Sequence, residues 1–467
     1  MLVKDLVLIA GLLTSASAQA YKEKPYSQEF YDSYSVLKHY GGNGPYSNNP
    51  GVGISRDPPS NCEVDQVMLL SRHGERFPDP SNGAAMEAAL AKVTGTNKTL
   101  TGSLAFVADW EYFVPGESWY AQETWTGPYN GLADLYQRGN NYRNRYGHLW
   151  DGASIVPIFS SGYERIINSA RAFGQGFLGY NYTESAALNI ISESNTQGAD
   201  SLTPSCYTNA DSKCTELTNV MPIFYDTAAR LNAENGLNLN VSNIYSLMQM
   251  AAFELNARKD SPWIHVFTED EWYAYGYTQD LQYYHCYGPG SNTTNPVGAV
   301  YANATLTLLN QGPKKAGSMF WNFCHDTNIT PVLSAMGISV PTKSLPLDQV
   351  PVPHQYRSGD LVPMGGHLVL ERMTCKATTT YEAGTYVRVV VNEAVIPIDD
   401  CQTGPGYSCG LNNYTTRLQE MLPDFATRCQ LPAEYPQYLD FFWNYNKTNT
   451  LNYQNGPISY QEGFTTV

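Results

Sequence analysis

Three short apolar runs, each followed directly by a polar loop, constrain the fold of this chain more than any other feature. They cover residues 66–70, 155–159 and 318–323. Runs of this length that end in polar loops are typical of buried strands. Apolar residues at helical spacing follow the second and third runs, so the sequence predicts strand–loop–helix units of an α/β fold.

Two later stretches, residues 367–373 and 386–391, are rich in β-branched residues and predict an antiparallel strand pair added to the sheet. The remaining sequence is mostly helical and aromatic, as in residues 241–258. We therefore predict a mixed sheet flanked by helices, with an inserted, mainly α-helical cap domain. The predicted catalytic domain comprises residues 19–80, 150–185 and 300–467, and the predicted cap comprises residues 81–149 and 186–299.

The net charge of the chain limits the kinds of molecule that it can bind. The chain has 28 Lys and Arg against 43 Asp and Glu, a formal charge of −15. Binding to a phosphate backbone needs basic stripes, and the sequence has no run of Lys or Arg, so we exclude nucleic acid as a partner. At a pI near 4.9 the protein becomes net positive only in acidic medium, which favours an acidic optimum on anionic substrates.

The N-terminus predicts secretion. Residues 1–18 contain Lys4, an apolar run and a small-residue site ending at Ala18, which is the pattern of a cleaved signal peptide. No later apolar stretch approaches the length of a membrane span, so we expect an extracellular protein that has no membrane partner. Asn-X-Ser/Thr acceptor sites for glycosylation occur at Asn97, Asn181, Asn240, Asn292, Asn303, Asn328, Asn413 and Asn446.

Polar side chains at the three strand ends are the candidates for chemistry. They are Arg72, His73 and Arg76 after the first strand, Arg165 after the second, and His325 and Asp326 after the third. Strand ends of an α/β sheet meet at one crevice. Guanidinium groups there fit the oxygens of a phosphoryl group, and a neutral imidazole beside them can attack phosphorus. An aspartic acid can protonate the leaving oxygen.

These residues carry a resemblance to a known family. Residues 72–78 match the R-H-G-x-R-x-P signature of the histidine acid phosphatases, and residues 325–326 match the second, H-D element of that family. The resemblance extends over nearly the whole mature chain and is closest to the secreted fungal acid phosphatases of the phytase B type. It implies phosphomonoesters, including inositol phosphates, as substrates.

The family mechanism assigns a role to each matching residue. The resemblance implies that His73 forms a phosphohistidine and that Asp326 acts as the general acid, with neither a cofactor nor a metal. Arg72, Arg76, Arg165 and His325 would bind the phosphoryl oxygens. Glu271 matches a position near the leaving group in relatives, although a solvated helix N-terminus explains it equally well. Because relatives are often dimers or tetramers, a homo-oligomer is also an expectation.

The nine cysteines fit an oxidising compartment, and the odd number leaves one unpaired. The resemblance implies the pairs Cys62–Cys375, Cys206–Cys429, Cys214–Cys286 and Cys401–Cys409. The remaining thiol, Cys324, precedes His325, and we expect it to be buried and inert.

Alternatives to this interpretation remain. Residues 406–410 match the G-x-S-x-G elbow of hydrolases, but no histidine follows Ser408, so we interpret the match as chance. A broad-range acid phosphatase with little activity on phytate fits the absence of lysine from residues 79–87. A secreted glycan-binding protein is the non-enzymatic alternative, which leaves the strand-end clusters unexplained.

Overall fold

The structure, a computed structural model, describes residues 30–31, 34–207, 217, 221–351 and 354–445. The predicted signal peptide, Cys214 and Asn446 lie outside these residues. The strands are β1 (Phe30–Tyr31), β2 (Tyr34–Ser35), β3 (Cys62–Arg72), β4 (Val156–Ser161), β5 (Ala186–Ile191), β6 (Met319–Cys324), β7 (His367–Cys375), β8 (Gly384–Val391), β9 (Ala394–Val395) and β10 (Cys409–Gly410).

The α-helices alternate with these strands and fill the segments between them. They are α1 (Pro80–Thr94), α2 (Gly131–Tyr146), α3 (Glu164–Leu178), α4 (Tyr182–Ser185), α5 (Ile223–Asn235), α6 (Val241–Ala257), α7 (Glu269–Gln282), α8 (Thr294–Gln311), α9 (Pro313–Ala316), α10 (Asp326–Ala335), α11 (Ser358–Leu361), α12 (Leu411–Met421), α13 (Phe425–Arg428) and α14 (Phe441–Asn444). A π-helical turn, Tyr283–Tyr287, extends α7.

The main sheet contains parallel and antiparallel strands, as predicted. Its order is β10-β8-β7-β3-β6-β4-β5, and β9 pairs with β8. Strands β3, β6, β4 and β5 are parallel, whereas β7 pairs antiparallel with β3 and with β8. The predicted strand pair near the C-terminus is thus confirmed as β7 and β8. The fold class, an α/β mixed sheet flanked by helices, is confirmed.

Both faces of the sheet are buried, which explains why the central strands read as continuous apolar runs. Alternate residues of β3 point to opposite sides. Val67 and Leu69 pack into one core with α2 and α3, whereas Met68 and Leu70 belong to a second core that extends into the helices between β5 and β6. The sheet is therefore sandwiched between two helical layers.

The carboxyl ends of the four parallel strands meet at one edge of the sheet. Arg72 at the end of β3 lies beside Cys324 at the end of β6, and Ser161 of β4 lies beside Ile191 of β5. The loops that follow these strands must share one crevice, which is where ligands bind in α/β sheets.

Two segments that the sequence assigned to the cap belong to the sheet layers, which corrects the predicted boundaries. Ala186–Ile191 forms the edge strand β5, which pairs in parallel with β4 along its whole length. Helix α2 buries Leu132 and Leu135 in the same core as β3 and α3. The remaining helices α1, α5, α6 and α7 pack on one another, with α6 buried over nearly all its length.

Helices α2 and α3 approach each other closely because two glycines face the contact. A Cβ atom on Gly139 would lie 2.1 Å from the carbonyl oxygen of Phe173, and one on Gly176 would lie 2.1 Å from that of Tyr136. Any larger residue at these positions must push the helices apart. This contact fixes α3, whose first turn carries Arg165.

Three disulfides are present among the described residues: Cys62–Cys375, Cys206–Cys429 and Cys401–Cys409. They are three of the pairs that the resemblance implies, whereas the fourth involves Cys214, outside the described residues. Cys62 and Cys375 are register partners at the ends of β3 and β7, so that bond joins two neighbouring strands. Within the described ranges, no helix is long and apolar enough to cross a membrane.

Candidate active site

The structure brings the predicted site residues together at the carboxyl edge of the parallel strands. Arg72 ends β3 and His73 follows it, while His325 follows β6 and Asp326 begins α10. Arg165 comes from the first turn of α3. The imidazole rings of His73 and His325 lie 6.2 Å apart and nearly perpendicular.

His73 is held as a neutral imidazole with a defined free nitrogen. It is 1% exposed, and its Nδ1 lies 2.8 Å from the carbonyl oxygen of Gly74. A carbonyl oxygen only accepts, so Nδ1 carries the proton and Nε2 keeps its lone pair. Burial, followed by the charges of Arg72, Arg165 and Arg76, lowers the pKa of His73 well below its usual value. His73 therefore stays unprotonated in acidic medium.

Three guanidinium groups surround His73 with unused donors. The Nε atoms of Arg72, Arg76 and Arg165 are buried and have no hydrogen-bond partner among the described residues. Burial and repulsion from Arg165 and Arg72 lower the pKa of Arg76 to about 10. Burying a cation whose N–H donors have no partner costs folding free energy unless an anion binds there. The cluster therefore fits a ligand group with several negatively charged oxygens.

Asp326 lies beside this cluster and is held by two side chains. Its Oδ2 is 2.9 Å from Nη2 of Arg72 and accepts a hydrogen bond from the hydroxyl of Tyr283. Burial raises the pKa of Asp326, but Arg72 and the Tyr283 hydrogen bond outweigh burial and lower it. Arg72 is fixed independently, since its Nη1 donates to the carbonyls of Gly42 and Val362 at 2.6 and 2.7 Å.

His325 contacts a glutamate that the sequence interpretation missed. Its Nε2 lies 3.2 and 3.1 Å from the two carboxylate oxygens of Glu193, and its Nδ1 lies 3.3 Å from Nη2 of Arg165. Glu193 follows β5, so the rule that placed functional groups after strands would have found it had residues 186–191 been recognised as a strand.

A second missed carboxyl supports the loop after β3. Oε1 of Glu123 accepts hydrogen bonds from the Gly74 amide, at 3.0 Å, and from the Ser169 hydroxyl. Burial raises the pKa of Glu123 to about 8, so this group is neutral in acid and leaves the positive charge of the arginines uncompensated. Nothing in the sequence around Glu123 indicates this contact.

The structure gives Glu271 contacts other than those considered from the sequence. It is 5% exposed, and its carboxylate accepts from the Thr227 hydroxyl, the Arg230 guanidinium and the Thr268 amide. Thr268 and Glu271 form the capping box of α7. The carboxylate is thus used within the helices and is not solvated, and we do not retain it as a substrate contact.

One predicted glycosylation site is less exposed than the others. Asn328 is half-buried on the first turn of α10, two residues from Asp326, and its sequon partner Thr330 is buried and donates to the Asp326 carbonyl. Asn328 is thus less accessible than the other predicted acceptor sites among the described residues. The exposed acceptor sites are Asn97, Asn181, Asn240, Asn292, Asn303 and Asn413.

Cys324 and Ser408, the two other residues considered as nucleophiles, are both buried. The thiol of Cys324 is buried and free, and burial raises its pKa well above the usual value. Ser408 is 1% exposed and donates its hydroxyl to the Pro405 carbonyl. In the part of the chain that the structure describes, no group of three or more His, Cys, Asp or Glu side chains is arranged to hold a metal ion.

The chain is similar to known proteins over most of its length. Residues 63–392 match the histidine phosphatase superfamily, branch 2. The chain is 36% identical to the phytase PHO112 of Candida albicans over 96% of this chain and 98% of that protein. It is 36% identical to the acid phosphatase PHO1 of Komagataella pastoris, covering 90% and 92%.

A solved structure is similar as well. The phytase from D. castellii superposes with a TM-score of 0.85 and 34% identity, covering 92% of this chain and 95% of that one. The protein therefore belongs to branch 2 of the histidine phosphatase superfamily. As a member, it is a phosphoric monoester hydrolase, and the glycan-binding alternative is wrong.

Proposed function

We propose that the protein is a secreted acid phosphatase that hydrolyses phosphomonoesters, phytate among them, through a phosphohistidine at His73. The observation that carries the proposal is the cluster of three buried guanidinium groups, each with an unpaired Nε donor, around an imidazole whose pKa they lower. These donors bind the phosphoryl oxygens, and Nε2 of His73 attacks phosphorus.

The bond to the leaving oxygen breaks as the bond from Nε2 to phosphorus forms. Asp326 supplies the proton that the departing alkoxide needs. An incoming phosphoryl group competes with Asp326 for Arg72, and its negative charge favours the protonated carboxyl. Asp326 then takes a proton from the water that hydrolyses the phosphohistidine, which releases phosphate and restores both residues.

Phytate as a substrate is supported by the similarity to two proteins named phytases. A specific observation favours the second candidate, a broad-range phosphatase with little phytase activity. Tyr163, which packs on His325, is 53% exposed, and Tyr287, which packs on Tyr283, is 38% exposed. Exposed rings on both sides of the reacting residues suit a planar or apolar leaving group better than a dense polyanion.

Secretion is supported by the signal pattern in residues 1–18, by the exposed glycosylation sites and by the disulfides.

The test compares phosphate release from phytate and from p-nitrophenyl phosphate, in acidic buffer with EDTA, by the natural protein and by His73→Ala. Turnover of both substrates that is lost in the variant supports the proposal. The ratio of the two rates distinguishes a phytase from a broad-range phosphatase. Full activity in His73→Ala would refute the phosphohistidine, and activity lost in EDTA would refute metal-free catalysis.

A further inference from the structure

A surface groove lies between α8 and the C-terminal segment that contains α13 and α14. Its volume is about 790 Å³, within the range of about 300–1,000 Å³ that is typical of pockets holding small ligands. One wall is a stripe of α8, and the opposite wall is formed by residues 423–427, residues 437–440 and Trp443. None of the phosphate-binding residues lines this groove, so it is separate from the active site.

The walls of the groove carry apolar and aromatic side chains. Phe425 and Leu439 line it and are buried, whereas Tyr438 is 71% exposed. The indole ring of Trp443 is half-buried, and its Nε1 donates a hydrogen bond to Oε1 of Gln311 at 3.0 Å, which holds the ring in place. Exposed aromatic surface that continues into buried apolar side chains indicates a ligand with an apolar face of its own.

A pyranose sugar fits walls of this kind, because one face of its ring carries C–H groups and its rim carries hydroxyl groups. The C–H face packs on the ring of a tyrosine or a tryptophan, which are amphipathic themselves. The hydroxyl groups need hydrogen-bond partners, and Thr307, Asp424 and Gln437 provide acceptor oxygens at exposed positions of the walls.

The groove also contains an attachment point for a sugar. Asn303 lies on the α8 wall, is exposed, and begins the sequon Asn303-Ala304-Thr305. The hydroxyl of Thr305 is buried and lies 3.0 Å from the carbonyl oxygens of Tyr301 and Ala302. Because the folded helix hides this hydroxyl, a glycan must be transferred before α8 folds. An oligosaccharide on Asn303 is therefore already in place when the groove forms around it.

We propose that the groove binds the N-glycan of its own chain, with the first sugars attached to Asn303 packed against Tyr438 and Trp443. The glycan then connects α8 with the C-terminal segment and stabilises their contact. The inference rests on the secretion included in the proposed function, but not on the phosphatase chemistry. It also explains why an aromatic ring as large as that of Tyr438 is left exposed by the polypeptide alone.

The test measures how fast peptide-N-glycosidase releases each glycan from the native protein secreted by a yeast host. Mass spectrometry follows each site, because release converts the asparagine to aspartate. Release at Asn303 should be at least about tenfold slower than at Asn97, since the enzyme reaches a packed glycan only after local opening. Asn97 is the comparison site because it lies among exposed residues in the loop after α1. Denaturation should abolish the difference.

A variant of the groove wall separates packing on the aromatic ring from other causes of slow release. Tyr438→Ala should fold, because the side chain is mostly exposed, and should speed release at Asn303 at least about threefold without changing release at Asn97. Tyr225→Ala is the matched control. It removes a tyrosine on α5 that is 63% exposed, and it should change neither rate.

Thermal unfolding provides a second readout. Asn303→Gln should lower the thermal midpoint of the glycoprotein by about 1–3 °C, although glutamine has the higher helix propensity of the two residues. Asn97→Gln should leave the midpoint unchanged. When the proteins are produced with glycosylation blocked, the destabilisation caused by Asn303→Gln should disappear.

A secreted protein that carries a glycan at Asn97 but none at Asn303 would overturn the inference, and so would equal release rates at the two sites in the native protein. Release that Tyr438→Ala does not change would overturn it too. Absence of glycan from both sites would contradict the proposed secretion as well. All of these results are distinct from failure of the phosphatase mechanism, which would appear as activity that survives His73→Ala.

Discussion

Replacing Asp326 by asparagine removes the carboxyl that we propose as the proton donor while leaving its surroundings in place. Arg72 keeps its contacts with the carbonyls of Gly42 and Val362, at 2.6 and 2.7 Å, so the phosphoryl site should hold its geometry. The loss should therefore be chemical. General acid catalysis contributes about a hundredfold to ten-thousandfold, and we expect kcat on an alkyl phosphate to fall by that factor, about 3–5 kcal/mol.

The assay compares two leaving groups, because a proton donor matters less when the departing oxygen is already stable as an anion. With glycerol phosphate, Asp326→Asn should show the full loss, whereas with p-nitrophenyl phosphate the loss should be at least tenfold smaller. Tyr283→Phe is the companion variant, since it removes the hydrogen bond to Asp326 but keeps the carboxyl, and it should retain most activity. Equal losses on both substrates in Asp326→Asn would refute the assignment.

Three other predictions concern the framework. The buried thiol of Cys324 should resist iodoacetamide in the native protein, with activity retained; rapid inactivation would contradict this. Gly176→Ala should lower the thermal midpoint or prevent folding, because the new Cβ would lie 2.1 Å from the carbonyl oxygen of Tyr136, whereas Gly410→Ala, with open space around it, should not. Glu371→Gln should cost about 3–5 kcal/mol in urea unfolding, because it leaves the buried guanidinium of Arg388, 2.6 Å away, without its anion; a cost below 1 kcal/mol would contradict this. Burial opposes ionisation of Glu371, but Arg56 and Arg388 lower its pKa, so its contribution is present above the glutamate pKa of about 4.3 and is lost as pH falls through the lower folded value.

The sequence predicted the parts of the fold that follow from local patterns. Buried strands such as β3 appear as apolar runs, and the residues after them lie at the sheet edge because parallel strands align their carboxyl ends. Helix α6 was also predicted closely, residues 241–258 against Val241–Ala257. These features depend on near neighbours in the chain.

Features that depend on distant neighbours were missed. In the sequence, residues 186–191 resemble an ordinary short segment, and only their pairing with β4 identifies them as strand β5. Because that strand was not predicted, Glu193, which follows it, was not predicted as a site residue. Helix α2 was assigned to the cap because its packing on α3 depends on glycines that are 37 residues apart, Gly139 and Gly176. The Thr268–Glu271 capping box, by contrast, is a local signal that could have been recognised.

The central claim is that His73 carries the phosphoryl group, and trapping that intermediate tests it most directly. The protein would be mixed with p-nitrophenyl phosphate, denatured within milliseconds in alkaline medium, where phosphohistidine survives, and digested for mass spectrometry. We predict one phosphorylated peptide, modified at His73 on the Nε2 nitrogen, because Nδ1 is engaged with the Gly74 carbonyl. The Asp326→Asn variant should accumulate more of it if hydrolysis of the intermediate slows further than its formation. Phosphate found on another residue, or on Nδ1 of His73, would contradict the account.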